Sequence, residues 1–161
     1  MPSLLGALRG PGAVLAFRVA TGGFFVAAGV AKLARPAEAF AGQIRAHGIL
    51  PAGWEWPLAH ALPWLELIAG GFLLLGMFAG WAAALVALQL VAFALFLAAS
   101  LAWGRAPEDC GCLPGLSETP GQALLRDAVM LAWAALAARG LPGRLALDGW
   151  LAGAQEDARD E

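Results

Sequence analysis

From residue 67 to residue 104 the chain runs 38 residues without an Asp, Glu, Lys or Arg. Wound as one α-helix, that stretch would measure about 57 Å, against a bilayer hydrocarbon core of about 30 Å. It must fold back once. The turn falls at Gly76-Met77-Phe78-Ala79-Gly80-Trp81, where two glycines weaken the helix. The spacing therefore predicts two spans, at residues 57–78 and 80–103, joined by a tight hairpin.

Composition supports a membrane setting. Of the 161 residues 60% are hydrophobic and 14% charged, whereas a soluble domain carries roughly 25% charged residues. A small fold leaves much of its surface exposed and cannot hide that much apolar area from water. This argues against a soluble enzyme and against a disordered chain. Ten Lys and Arg against twelve Asp and Glu give a net charge of −2 with no basic stripe, which argues against nucleic acid.

A further span is predicted upstream at residues 13–34. Pro11 and Gly12 precede it and Arg35-Pro36 stops it. Arg18 and Lys32 lie towards its ends, where long side chains can snorkel to the headgroups; Arg18 and Gln89, towards the side away from the cysteines, could also hydrogen-bond across the bundle. Its apolar run is too long for a signal peptide and contains an Arg, so it reads as a retained helix. A fourth, shorter span is predicted at residues 122–138. The expected architecture is all-α: a single integral membrane four-helix bundle over residues 1–161. Residues 36–47 form a short interfacial helix, with Phe40 and Ile44 on its apolar face and His47 on the surface. Residues 144–151 form a similar flanking piece, followed by an acidic tail at 155–161. Small residues four apart (Gly23, Ala27, Ala31; Gly76, Gly80) suit close helix packing in lipid.

Four spans put both termini on one side, and the loop at 105–121 on the other. Each side carries five Lys or Arg, so charge asymmetry does not orient the bundle. Trp54, Trp56, Trp64 and Trp103 fall near one interface, Trp81 and Trp150 near the other; Trp133 sits in the middle of span four.

The chain has two cysteines, Cys110 and Cys112, separated by Gly111 in that loop. Cysteines one residue apart can form a disulfide, but the ring is small and strained, and strained disulfides are the labile, oxidising kind. Such a bond closes almost no loop and is a poor staple. The plainer reading is two incidental thiols. Lys32, Glu66, Arg126 and Asp127 all sit at the cysteine end of the spans, and Asp109 adjoins Cys110. Charges within spans are costly and often functional. A cation beside a thiol favours the thiolate, and a carboxylate does the reverse or takes the proton. The alternative is structural: Lys32–Glu66 or Arg126–Glu66 as ion pairs locking helices together. His60 lacks the intramembrane partner that haem ligation would need. Two cysteines make an incomplete zinc site, though two thiolates can hold a soft ion such as Cu(I).

The chain resembles the MauE branch of the DoxX-like membrane proteins, which are linked to redox and maturation functions. The residues that carry the likeness are Arg18, Gly22, Phe25, Gly29 and Lys32; Phe40, Ile44 and Gly48-Ile49-Leu50-Pro51; Leu62-Pro63, Glu66 and Gly70; and Asp109-Cys110-Gly111-Cys112 with Arg126-Asp127 downstream. Leu113-Pro114-Gly115 stands where the family usually has Phe-Gly, and Arg126-Asp127 where it often has Arg-Asn. The resemblance implies a bacterial inner-membrane protein with its cysteines facing the periplasm and its termini in the cytoplasm. It implies work beside a thioredoxin-like partner in maturing a periplasmic or secreted enzyme, in the best-known setting the disulfide-rich methylamine dehydrogenase.

The leading expectation is a thiol–disulfide oxidoreductase acting through Cys110 and Cys112, with Lys32, Glu66, Arg126 and Asp109 as neighbours. With one cysteine pair, the second redox station is a partner protein, a quinone, for which Glu66 and Arg126 are the candidate contacts, or nothing. The competing expectations are a soft-metal protein of the copper type and a non-catalytic assembly factor docking through residues 40–56 and 108–120.

Overall fold

The structure, a computed structural model of the chain, describes residues 10–108, 110, 118–138, 141 and 145–150. Among these, the elements are helical: α1 (Pro11–Leu33), α2 (Ala37–Ala46), α3 (Glu55–Leu75), α4 (Ala79–Ala102) and α5 (Pro120–Ala137). A last helical turn covers 147–150. Helices α1, α3 and α4 are each long and apolar enough to cross a membrane. Helix α5 has 18 residues and carries Arg126 and Asp127 near its start. At 1.5 Å per residue it still reaches about 27 Å. The expected all-α membrane bundle is what the chain forms, with α2 as the short connecting helix.

Local chemistry sets the ends. Helix α5 opens with Pro120 at its first position and a reciprocal cap. Thr119 Oγ1 accepts from the Gln122 amide at 3.3 Å, and Gln122 Oε1 accepts from the Thr119 amide at 3.0 Å. Gly76 ends α3 in the left-handed region at φ +67°. The hairpin spans only residues 76–78, tighter than the expected 76–81. Phe78 is also left-handed, at φ +48°. The Asp148 carboxylate holds it there, accepting from the Phe78 and Ala79 amides at 2.8 Å each. Asp148, in the described residues 145–150, therefore caps α4 rather than merely flanking the bundle.

The expected snorkelling of Arg18 does not occur. Arg18 is fully buried. Its Nε donates to the Leu73 carbonyl at 3.0 Å, and its Nη2 to those of Leu74 and Leu145 at 3.1 and 3.3 Å. The last carbonyls of a helix have no intrahelical donor, and a buried guanidinium supplies one. Gly76 makes the room, because a Cβ there would fall on that guanidinium.

The small-residue stripe also differs from expectation. Gly23 and Gly80 face open space. The contact between α1 and α3 runs through Gly22, Gly29 and Gly70. A Cβ on Gly22 would lie 2.8 Å from the Gly70 carbonyl oxygen, and one on Gly29 would lie 2.7 Å from that of Pro63. Backbones meet there, and Val14, Phe17, Phe25, Leu73, Val86 and Leu90 fill the core beside them. Phe17 meets Trp133 edge-on at 5.9 Å, so Trp133 is a packing residue and not an interface anchor. Gln89 bonds within its own helix, to the Leu85 carbonyl, rather than across the bundle.

Candidate functional site

The buried face of α1 runs from Arg18 through Gly22, Phe25 and Gly29 to Lys32 in the last turn. Close packing at Gly29 brings Lys32 against α3, where Glu66 lies one turn beyond Pro63. Lys32 Nζ donates to Glu66 Oε1 at 2.5 Å, with both side chains 3% exposed. Snorkelling therefore fails for Lys32 as well. The ammonium also lies over the Phe40 ring at 5.1 Å and the Phe93 ring at 5.7 Å, which suits a desolvated cation. On α5, Arg126 bonds to Asp127 at 2.9 Å and to Glu118, and stacks over Phe24 at 4.6 Å. Asp127 is 1% exposed. Of the two ion pairs considered from sequence, Lys32–Glu66 forms; Arg126 pairs with the acids of its own segment.

Cys110 lies near this group. It is 5% exposed and packs with Leu97 of α4 and Ala123 of α5. Its amide donates to the Glu118 carbonyl at 2.9 Å, so the two ends of the segment 110–118 are pinned together. Asp109 and Cys112 lie outside the described residues.

His47 is the residue that the sequence reading misplaced. It is 2% exposed, not on the surface. Its Nδ1 is 2.9 Å from Ser100 Oγ, its ring lies 4.8 Å from that of Phe96, and it meets the Cys110 backbone. Burial holds its pKa below the usual histidine value, and the bond to the Cys110 backbone partly offsets this. The signal was present. Phe40, Ile44 and His47 follow the i, i+4, i+7 pattern, which puts His47 on the buried face of α2.

These groups share one cavity of about 330 Å³. Lys32, Glu66, Arg126, Asp127, His47 and Cys110 all line it, and the rest of its wall is mostly apolar, from Phe24, Phe40, Phe93, Phe96 and leucines of α3 and α4. The structure thus brings together Cys110, Lys32, Glu66 and Arg126, and adds Asp127 and His47. Cys110 shares one cavity with charged side chains of both signs. Among the described residues no group of three His, Cys, Asp or Glu gathers to hold a metal ion.

The sequence pattern of the family described as methylamine utilisation protein MauE matches residues 11–140, which include α1 to α5 and the cavity. The methylamine utilization protein MauE of Paracoccus denitrificans is 35% identical over 134 residues, covering 82% of this chain and 72% of that protein. No solved structure matches. With span-like helices and a family match over most of its length, the chain is a multi-pass membrane protein of the MauE family.

Proposed function

We propose that this protein exchanges a Cys110–Cys112 disulfide with a thioredoxin-like partner, in support of an enzyme matured outside the cytoplasm. By the family's description, the pathway served is methylamine utilisation. On this reading the bundle lies in the bacterial inner membrane, with the cysteines on the periplasmic side and the termini in the cytoplasm. The observation that carries the reading is the place of Cys110. It is buried on the wall of a cavity that also presents Lys32, Glu66 and Arg126.

That burial puts the Cys110 sulfur out of a partner's direct reach. The partner's thiolate therefore attacks the Cys112 sulfur. The Cys110–Cys112 bond breaks, and the bonding electron pair leaves on Cys110 as a thiolate. Thiol–disulfide exchange runs faster when the leaving thiolate is stabilised, and Lys32 and Arg126 supply positive charge around the cavity. The partner's second thiolate then attacks the partner's own sulfur in the mixed disulfide. Cys112 is released as a thiolate, and the partner departs oxidised.

Trapping tests this asymmetry. Cys110→Ser, primed at Cys112 as the thionitrobenzoate mixed disulfide, should release thionitrobenzoate and accumulate a mixed disulfide with a thioredoxin-type partner whose resolving cysteine is replaced. Cys112→Ser, treated in the same way, should capture little. If neither variant captures the partner and the double Cys-to-Ser variant supports full maturation of the client enzyme, the exchange reading fails and a non-catalytic assembly role replaces it.

A further inference from the structure

Two buried acceptor atoms on cavity-lining residues have no hydrogen-bond partner among the described residues: Glu66 Oε2 and Asp127 Oδ2. Their residues are 2% and 1% exposed, sit on different helices and line the same space. Buried acceptors are normally satisfied, so two orphaned carboxylate oxygens on residues that line one cavity call for a donor from outside the protein. Cations line the same space. Lys32 carries three N–H donors, one of which goes to Glu66. The guest must therefore also present acceptors. Its body must be apolar and flat enough to lie among Phe24, Phe40, Phe93 and Phe96. The cavity reaches the outer face of α4 at exposed Ala92, which gives a tail a way into lipid. Its volume falls in the usual range for small-molecule sites.

We infer that this cavity binds an isoprenoid quinone, which takes the electron pair left on the cysteines. The oxidised ring offers carbonyl acceptors to Lys32 and Arg126. The reduced ring offers hydroxyl donors to Glu66 Oε2 and Asp127 Oδ2. Both redox states find partners in one site. A phosphate or fatty-acid headgroup would face two carboxylates, and an amine would face two cations. The inference rests on the exchange reading above, which leaves Cys110 and Cys112 as a dithiol. The two thiols give up two protons and one electron pair, and the S–S bond re-forms. The quinone takes the pair and two protons, and its two carbonyls become hydroxyls. The quinol then leaves through the bilayer, and the disulfide is ready for the next partner.

The test uses the full chain in lipid nanodiscs with a photoreactive azido-ubiquinone, and decylubiquinone as competitor. Labelling should map to the cavity-lining residues of α3 and α4 and fall when decylubiquinone is added. Glu66→Gln should weaken labelling about tenfold, the scale of one hydrogen bond to a charged group. Ala92→Trp, on the exposed face and clear of the ion pairs, should block the rim and abolish cavity labelling while the fold persists. Labelling spread over the lipid-facing surface, or unmoved by both substitutions, overturns the inference. So does a photoreactive phospholipid that labels the cavity and is not displaced by decylubiquinone. The Cys110→Ser/Cys112→Ser variant separates the two readings. It should still bind the probe, whereas the reduced parent alone should convert decylubiquinone to quinol in stoichiometric amount under anaerobic conditions. Disulfide exchange with the partner but no cavity labelling sinks the quinone and spares the exchange; labelling without exchange does the opposite.

Discussion

Helix α1 buries a cation near each end of one face, Arg18 and Lys32, about 21 Å apart along the helix. The two are solvated in opposite ways. Arg18 is met by main-chain carbonyls at the end of α3 and by Leu145, in a corner closed by Gly76, Ala146 and Asp148. Lys32 is met by one carboxylate oxygen and two aromatic faces, at the edge of a cavity whose lining residues Glu66 and Asp127 each keep one oxygen without a donor among the described residues. An ionised group deep in a bundle is not by itself a sign of chemistry. What separates the two ends is whether the surroundings complete the partner set. At Arg18 the fold supplies helix-end carbonyls that need a donor anyway. At Lys32 the partner set stops short, and space is left for something else.

Removing each cation should therefore fail in a different way. Arg18→Met leaves the Leu73, Leu74 and Leu145 carbonyls without this donor in a dry corner. We expect a loss of about 3 kcal/mol or more, read by thermal or SDS-driven unfolding in detergent, since hydrogen bonds to a charged donor are among the costliest to leave unmade. Thiol exchange per folded molecule should stay at the parent level. A stable Arg18→Met would break the comparison by showing that the carbonyls find other partners.

The matching change at the other end is a paired one. Lys32→Met alone strands Glu66, but Lys32→Met with Glu66→Leu removes both charges together. Buried ion pairs replaced by apolar groups of similar volume commonly leave stability unchanged or raise it. The double variant should unfold within about 1 kcal/mol of the parent or above it. Its exchange with the partner should slow at least about tenfold, because the cavity loses both the ammonium that favours a thiolate and the carboxylate that can take the thiol's proton. Parent-level exchange in a folded double variant would reduce the pair to a helix lock and leave both ends of α1 structural.

Much of this arrangement was legible in the residues. The 38-residue uncharged run fixed the α3–α4 hairpin, because backbone groups in lipid must be satisfied within a helix. The gathering of Lys32, Glu66 and Arg126 near Cys110 followed from counting turns from the loop. The losses have a common cause, which is that a helix has a direction of facing as well as a length. Gly22 and Gly29 pack while Gly23 does not, although all three suit a small-residue stripe. Arg18 shares its face with Gly22, Phe25, Gly29 and Lys32, and that register marks it as buried. Proximity to a span end suggested a headgroup contact instead. The role of Asp148 was out of reach, because nothing local ties residue 148 to the amides of Phe78 and Ala79.

His47 gives the smallest and most selective way to sharpen the contrast, because it reports on the cysteine end through a single proton. Its ring is enclosed by Ser100, Phe96 and the Cys110 backbone, and burial favours the neutral form. Its folded-state pKa therefore lies below the ordinary value of about 6.5. Between those two values the unfolded chain holds a proton that the folded chain does not. Stability must then rise with pH through that window and level off above about 6.5. Acidification through the same window should loosen the fold where His47 holds Cys110. One proton limits the slope to about 1.4 kcal/mol per pH unit. The measurement is unfolding in detergent between pH 5 and 8, for the parent and for His47→Gln, an amide that keeps hydrogen-bonding capacity and does not titrate there. The parent should lose stability on acidification more steeply than His47→Gln, and thiol labelling of Cys110 should rise along with that loss. Identical profiles would mean that the histidine charges without disturbing its neighbours, and that the cysteine end is as well completed by the fold as the Arg18 corner.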